Sequence, residues 1–287
     1  MFRERRFLHF FACIRVVSRL NQSVMNLDAV LSPAEIAALT PHHLRGVTCV
    51  VIDVLRATSA MITALANGAE AIIPVASIEE ARTLRRKKPH LLLAGERNGF
   101  KITGFDLGNS PREMTSRRVR SRTIAWTTTN GTVALRACRE ADAVYVASLL
   151  NLTATVRALA TEDTDILFVC AGTHDRFALE DAVCAGAIIE RLSERSSLAS
   201  RESVRIKRRR RQSILMSGAK TALAYYRIYG ENFLSALCES ENGRRLLSIP
   251  SLSDDVSMCA QADQYPLLAQ FTRGRVVATA ASSSVSA

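Results

Sequence analysis

Closely spaced cysteines are missing from this 287-residue chain, and that absence closes off two function classes. Its seven cysteines (Cys13, Cys49, Cys138, Cys170, Cys184, Cys238 and Cys259) are scattered, with no CxxC pair. Such spacing argues against a zinc site. An odd, unpaired count fits free thiols in a reducing cytoplasm rather than a disulfide framework. No unbroken apolar run is long enough to span a bilayer, because the hydrophobic N-terminus is interrupted by His9 and Arg15. No small-residue cleavage site follows it, so it does not read as a targeting peptide. Aromatic residues do not interleave with the basic run Arg205 to Arg211 (RIKRRRR), so the pattern for stacking on bases is missing. The net charge of +11 comes largely from that run and from Arg3, Arg5, Arg6, Arg15 and Arg19. It reads as solvated surface charge, and neither a nucleic acid nor a membrane is expected as a partner.

What is present is an alternation of apolar runs with segments of helical period. Strands are expected at Thr48–Asp53, Ala71–Val75, His90–Ala94, Thr123–Thr127, Ala143–Ala147 and Asp165–Ala171. Most are continuous Val/Ile/Leu runs, the pattern of strands buried on both faces. Helices are expected between them at Thr58–Asn67, Ile78–Lys87, Thr132–Glu140, Leu152–Ala160 and Leu179–Leu192. Ser77 with Glu80 forms a capping-box pattern, and Asn67-Gly68 is a helix stop. The fold class is therefore α/β, a mostly parallel sheet with helices on both faces. After Leu192 the alternation fails, and Ala219–Tyr229, Phe233–Glu239 and Val256–Ala260 suggest a helical C-terminal addition. Met25 opens a segment that starts like a folded domain. The expectation is one domain over 25–273 with a basic variable segment at 193–212, a non-native or disordered extension at 1–24 and a disordered tail at 274–287.

Ligands of open parallel sheets bind beyond the carboxyl ends of the strands. Four expected strands deliver polar chemistry there. VVID ends in Asp53 with Arg56 after it, and LLLA ends in Gly95-Glu96-Arg97. TIAW leads into TTTNGT, and FVCA leads into Gly172-Thr173-His174-Asp175-Arg176 ahead of Glu180-Asp181. Each has a plainer reading: Asp53 as a helix cap with Arg56 its surface partner, TTTNGT as a turn, Glu180 and Asp181 as complements to a helix dipole, His174 as a surface residue. The long loop Gly95 to Pro111 (GERNGFKITGFDLGNSP) mixes carboxylates with cationic and amide groups. Long loops in compact domains are usually functional, and this one reads as an active-site loop.

DVLRATS (Asp53–Ser59), GERNGFKITGFDLGNSP, TTTNGT (Thr127–Thr132) and CAGTHDRFALEDAVCAGAI (Cys170–Ile188) occur in the order of the signature blocks of the 2-phosphosulfolactate phosphatases, the ComB family. The chain resembles that family from about Met25 to Phe271. The resemblance implies a cytoplasmic phosphoric monoester hydrolase that needs Mg²⁺. It would split (2R)-2-phospho-3-sulfolactate into 3-sulfolactate and phosphate, a step of coenzyme M biosynthesis. Carried onto this chain, it makes Asp53, Glu96 and Asp106 the metal ligands, with Asp53, Glu96, Glu180 and Asp181 catalytic. Arg56, Arg97, Lys101 and Arg176 form the pool of anion clamps, and Asn109, Thr128, Asn130 and Thr132 supply neutral donors. The sequence departs from the family pattern at Asn98, Thr103 and Thr173-His174-Asp175, which bears on substrate choice. Leu55 stands where a phospho-aspartate phosphatase carries its second acid, which disfavours a covalent route through Asp53. A phosphatase for another small phosphorylated acid and a non-catalytic anion- or nucleic-acid-binding relative are the competing readings. Oligomeric state is open, a homodimer among the options.

Overall fold

The computed structural model describes residues 24–173, 175–202 and 212–279. His174, Arg205 to Arg211, residues 280–287 and all of the expected extension except Val24 lie outside the described residues.

The strands are β1 (Val24–Val30), β2 (Val47–Ile52), β3 (Ala71–Pro74), β4 (Leu92–Arg97), β5 (Phe100–Lys101), β6 (Thr123–Thr127), β7 (Ala143–Ala147), β8 (Asp165–Cys170), β9 (Gln212–Leu215), β10 (Leu268–Thr272) and β11 (Arg275–Thr279). Among the described residues they form one sheet in the order β5-β4-β6-β3-β11-β10-β7-β2-β8-β1-β9. Two parallel blocks, β4-β6-β3 and β7-β2-β8-β1-β9, are joined by the antiparallel β10–β11 hairpin. The α/β class and its mostly parallel sheet hold as read from sequence. The expected tail does not hold over Arg275–Thr279, which form β11 inside the sheet. Arg273 and Gly274 turn this hairpin with φ of 49° and 76°. Positive φ at both central residues is the two-residue turn that matches strand twist.

Period-two alternation sorts the core. Val50 and Ile52 of β2 with Ile166, Phe168 and Cys170 of β8 face one apolar cluster. Cys49 and Val51 with Leu167 and Val169 face the other. Helices Leu179–Glu202, Ser217–Tyr229 and Phe233–Glu239 cover the first face. The stretch expected to be variable from residue 193 is helical to Glu202.

On the second face lies helix Ala57–Ala66, whose residues Ala57 to Leu65 are all buried. A helix of small and apolar residues buried on every side is one the rest of the fold encloses. Here strands of both parallel blocks share its cluster: Leu92, Ile72 and Trp126 from one, Val146, Val51 and Val169 from the other. The sheet wraps around this helix, and its N-terminus emerges at the rim where the strands end. Its own hydroxyls are satisfied internally, Ser59 donating to Val54 O and Thr63 to Ser59 O at 2.8 Å each. It stops at Asn67-Gly68, where Gly68 N–H reaches Leu65 O and Ala69 N–H reaches Ala64 O, the paired bonds of a Schellman ending. On helix Ile78–Lys87, Ser77 accepts from Glu80 N, while the Glu80 carboxylate takes Ala76 N instead of closing the box on Ser77.

Candidate active site

Four strands separate β6 from β2 in the sheet order, yet the curled sheet brings their carboxyl ends together. Gly131, just after β6, is packed so closely on the β2 end that a Cβ there would lie 2.6 Å from Asp53 Oδ2 and 2.6 Å from Ala57 Cβ. Asn130 Nδ2 donates to Gly172 O beyond β8 at 3.0 Å, strapping a third strand end into the same rim. The resulting cleft is lined by Asp53, Arg56, Glu96, Asn109, Thr129, Asn130, Thr173, Asn242 and Arg245, among others. Gly131→Ala should force Asp53 or helix Ala57–Ala66 to move. The expected cost is about 1–3 kcal/mol, typical of an overpacked site. An unchanged denaturant midpoint with unchanged activity would show that the contact is slack.

Four acids are buried here, at Asp53, Glu96, Glu180 and Asp181. Asp53 Oδ1 accepts the Ala57 N–H at 3.0 Å, at the start of the enclosed helix. Its carboxyl is pushed up to about 7, first by burial and then by the charges of Glu96 and Glu180, against the Ala57 hydrogen bond and Arg56. Glu96 is held by Thr129 N and Thr129 Oγ1 on Oε1 (2.8 and 2.9 Å) and by Gly99 N on Oε2 (2.7 Å). Asp181 ties two strand ends together, accepting from Val54 N at 2.8 Å and Gly172 N at 3.2 Å. Burial, with Glu180 and Asp53 nearby, pushes it well above the usual carboxylate range. Burial also raises Glu180, with Ser240 and Asn242 opposing it. Its Oε2 is nonetheless buried without a hydrogen-bond partner.

An orphaned carboxylate oxygen beside a second raised carboxyl needs a proton or a cation. No hydrogen bond from a described residue reaches Asp53 Oδ2, so the two acids offer hard oxygen donors of the kind Mg²⁺ takes. Among the described residues no group of three His, Cys, Asp or Glu side chains forms a ready-made ligand cage. Any cation held here keeps much of its water, as Mg²⁺ does.

Several expected residues are elsewhere. Asp106 does not join Asp53 and Glu96. Its carboxylate accepts Leu93 N at 2.8 Å and pairs with Arg85 of the preceding helix, pinning the flank of β4. Arg97 follows Glu96 in an extended strand and so faces the opposite way. It donates to Glu96 O (2.7 Å) and Thr127 Oγ1 (3.0 Å), outside the cleft lining. Lys101 is exposed on β5, across from Glu96 in register, and does not line the cleft. Arg176 is a surface residue, its side chain 75% exposed and 4.0 Å from Glu241. Thr128 and Thr132 cap one another, each hydroxyl accepting the other's N–H at 3.1 and 3.0 Å, and brace the turn from beneath. The supposed long loop is divided: Asn98 and Gly99, with φ of 52° and 81°, make a tight hairpin between β4 and β5.

Arg56, Asn109 and Asn130 do line the cleft. Trp126 Nε1 donates to Asn109 Oδ1 at 3.3 Å, which leaves the Asn109 amide hydrogens for a ligand. Arg56 is only 4% exposed, donating to Asp255 Oδ2 and to Gly99 O at 2.6 Å each. Asp255 also accepts from Ser110 Oγ at 2.6 Å and Arg112 Nε at 2.8 Å. Residues not anticipated from sequence come from the helical addition: Asn242, which bonds Leu55 O (2.7 Å) and Thr173 Oγ1 (3.0 Å), Arg245, and Asp255 behind them.

The family model described as 2-phosphosulpholactate phosphatase matches residues 34–274. A protein of Symbiobacterium thermophilum named "Probable 2-phosphosulfolactate phosphatase" is 42% identical over 237 residues, covering 82% of this chain and 95% of that one. Proteins of the same name from Thermotoga petrophila and a Synechococcus species are 38% and 39% identical, covering 86% and 80% of this chain and 96% and 91% of theirs. No described helix is long and apolar enough to cross a membrane. With a family match over most of its length and relatives aligned almost end to end, the chain belongs to the 2-phosphosulpholactate phosphatase family.

Proposed function

We propose that this protein is a magnesium-dependent phosphatase that hydrolyses (2R)-2-phospho-3-sulfolactate to 3-sulfolactate and phosphate. The observation that carries the reading is that Asp53, Glu96, Arg56 and Arg245 line one cleft, with the unpartnered Glu180 Oε2 buried close enough to Asp53 to raise its carboxyl. A strongly anionic substrate fits only if a proton or a cation offsets the acids, since carboxylates otherwise repel phosphate. Asp53 Oδ2 and Glu180 Oε2 are the oxygens that would hold Mg²⁺, with solvent completing the shell. When bound, the ion neutralises phosphate oxygens and polarises the phosphorus for attack.

The chain's own residues supply position and charge, which is most of what phosphoryl transfer asks of a protein. Arg56, fixed by Asp255, adds positive charge that cannot swing away. Asn109 offers amide hydrogens. Glu96, locked by Thr129 and Gly99, sets the wall between the hairpin and the β6 turn. Asp181 keeps the ends of β2 and β8 in register beneath them. Water replaces the ester oxygen on phosphorus, the P–O bond breaks, and the lactate oxygen leaves with a proton.

Chelator-treated protein is expected to lose phosphate release from 2-phosphosulfolactate and to recover it with added Mg²⁺. The same additions should raise the melting temperature of wild type, because a ligand that binds only the folded state stabilises it. A panel of other phospho-acids assayed beside it fixes the substrate. Undiminished turnover in chelator would remove the metal from the mechanism, and no turnover of any phospho-acid would end the phosphatase reading.

A further inference from the structure

The helical addition places a cation in the cleft that no strand end supplies. Arg245 lies in the short helix Glu241–Leu247, half-buried, and its Nη2 donates to the carbonyl oxygen of Asn98 at the β4–β5 hairpin tip. Arg56 grips the neighbouring carbonyl, Gly99 O, from its own side at 2.6 Å. A Cβ placed on Gly99 would sit 3.2 Å from Arg245 Nη2 and 3.9 Å from Arg56 Nη2. Two guanidinium groups therefore grip the consecutive carbonyls on either side of the Gly99 Cα, and the missing side chain at position 99 leaves room for Arg245. Gly99 also holds φ of 81°, which glycine adopts without strain.

The two arginines are not equivalent. Arg56 is sunk against Asp255, with side-chain exposures of 3% and 0%. Arg245 sits nearer the mouth, tethered to a backbone carbonyl. A guanidinium carries five donors in a rigid fork, so holding the hairpin and gripping an anion are compatible. Tethering also reduces the ordering required when a ligand binds. Asp53, the acid proposed to hold the metal, lines the same cleft at the end of β2, with Glu180 of helix Leu179–Glu202 buried near it.

We infer that Arg245 is a specificity-determining residue that binds the second acid group of the substrate, its carboxylate or sulfonate, while the phosphate sits at Asp53. The inference deepens the phosphatase reading and rests on it for the placement of the phosphate. The competing role for Arg245 is purely structural, a staple between the helical addition and the hairpin.

The test is calorimetric titration of wild type, Arg245→Met and Arg245→Lys with 3-sulfolactate and, separately, with inorganic phosphate in Mg²⁺. Steady-state kinetics on 2-phosphosulfolactate and on phenyl phosphate accompany it. Arg245→Met should weaken 3-sulfolactate at least about 10-fold, equivalent to one charge-assisted contact of ~1.4 kcal/mol, and weaken phosphate much less. Arg245→Lys should fall between. The loss on 2-phosphosulfolactate should appear in KM more than in kcat, and should exceed the loss on phenyl phosphate. Equal losses for both ligands, or none, would make Arg245 a staple. Wild type that fails to bind 3-sulfolactate also overturns the inference. Wild type that binds it through Arg245 yet releases phosphate from no ester would instead end the phosphatase reading and leave the anion site standing.

Discussion

Asp53→Asn is expected to abolish most phosphate release while making the metal-free protein more stable at neutral and alkaline pH. The activity should fall on the order of 10³-fold, within the range for losing a positioned acid or base. Asn keeps an oxygen for the Ala57 N–H, so the helix start survives, but it offers the cation no charge. The stability gain follows from the sign of the Asp53 shift. Its folded carboxyl is raised from 3.8 to about 7, so between those values the native state keeps a proton that the unfolded chain has released. Metal-free wild type therefore loses stability as pH rises through that window and stays penalised above it. A shift of this size corresponds to roughly 4 kcal/mol, at 1.36 kcal/mol per unit. Melting curves of chelated wild type and Asp53→Asn between pH 5 and pH 8 (about the range that bare carboxyls and Asp53 bracket) measure it. Wild type should fall with pH and the variant should stay flatter. Parallel curves would place the Asp53 carboxyl outside the acidic cluster described here.

The second large effect is expected at Asp255. It is fully buried and answers three donors: Arg56 Nη1, Ser110 Oγ and Arg112 Nε. Asp255→Ala strands the Arg56 guanidinium in a nearly dry site. Removing one partner of a buried ion pair costs about 3–5 kcal/mol. Part of that comes back if Arg56 is changed to Met in the same chain, because the uncompensated charge then disappears. Activity does not come back, since the cleft has lost its fixed cation. Urea unfolding of the two single variants and the double variant supplies the cycle. Additive losses would mean that Arg56 and Asp255 do not act as a pair.

How far the site was legible in the amino-acid order depends on which physical signal places each residue. Asp53, Glu96 and Asn130 are found by asking which polar residues follow buried strands, because the carboxyl ends of parallel strands must share a rim. The same reasoning admitted Arg97, though strand alternation turns it away from Glu96. Asp106 shares the signature block, but its charge is consumed by Arg85, a helix position whose proximity no local pattern announces. Arg245 and Asp255 lie beyond the last anticipated strand, and the Arg56–Asp255 pair spans 199 residues. Only the folded chain reveals that contact. The β10–β11 hairpin carried a readable mark in Arg273-Gly274, but its strands are short and half-polar, so they lack the continuous apolar run that exposes β2 or β8.

That hairpin sets an order of events during synthesis. Residues 268–279 bridge the sheet half that carries Glu96 to the half that carries Asp53. The two halves cannot be stitched edge to edge until residues 268–279 have emerged. Until then the nascent chain carries an unclosed seam on each half, with backbone groups that neighbouring chains could pair with. Chaperone demand for this protein should therefore persist until that hairpin has emerged and closed the seam.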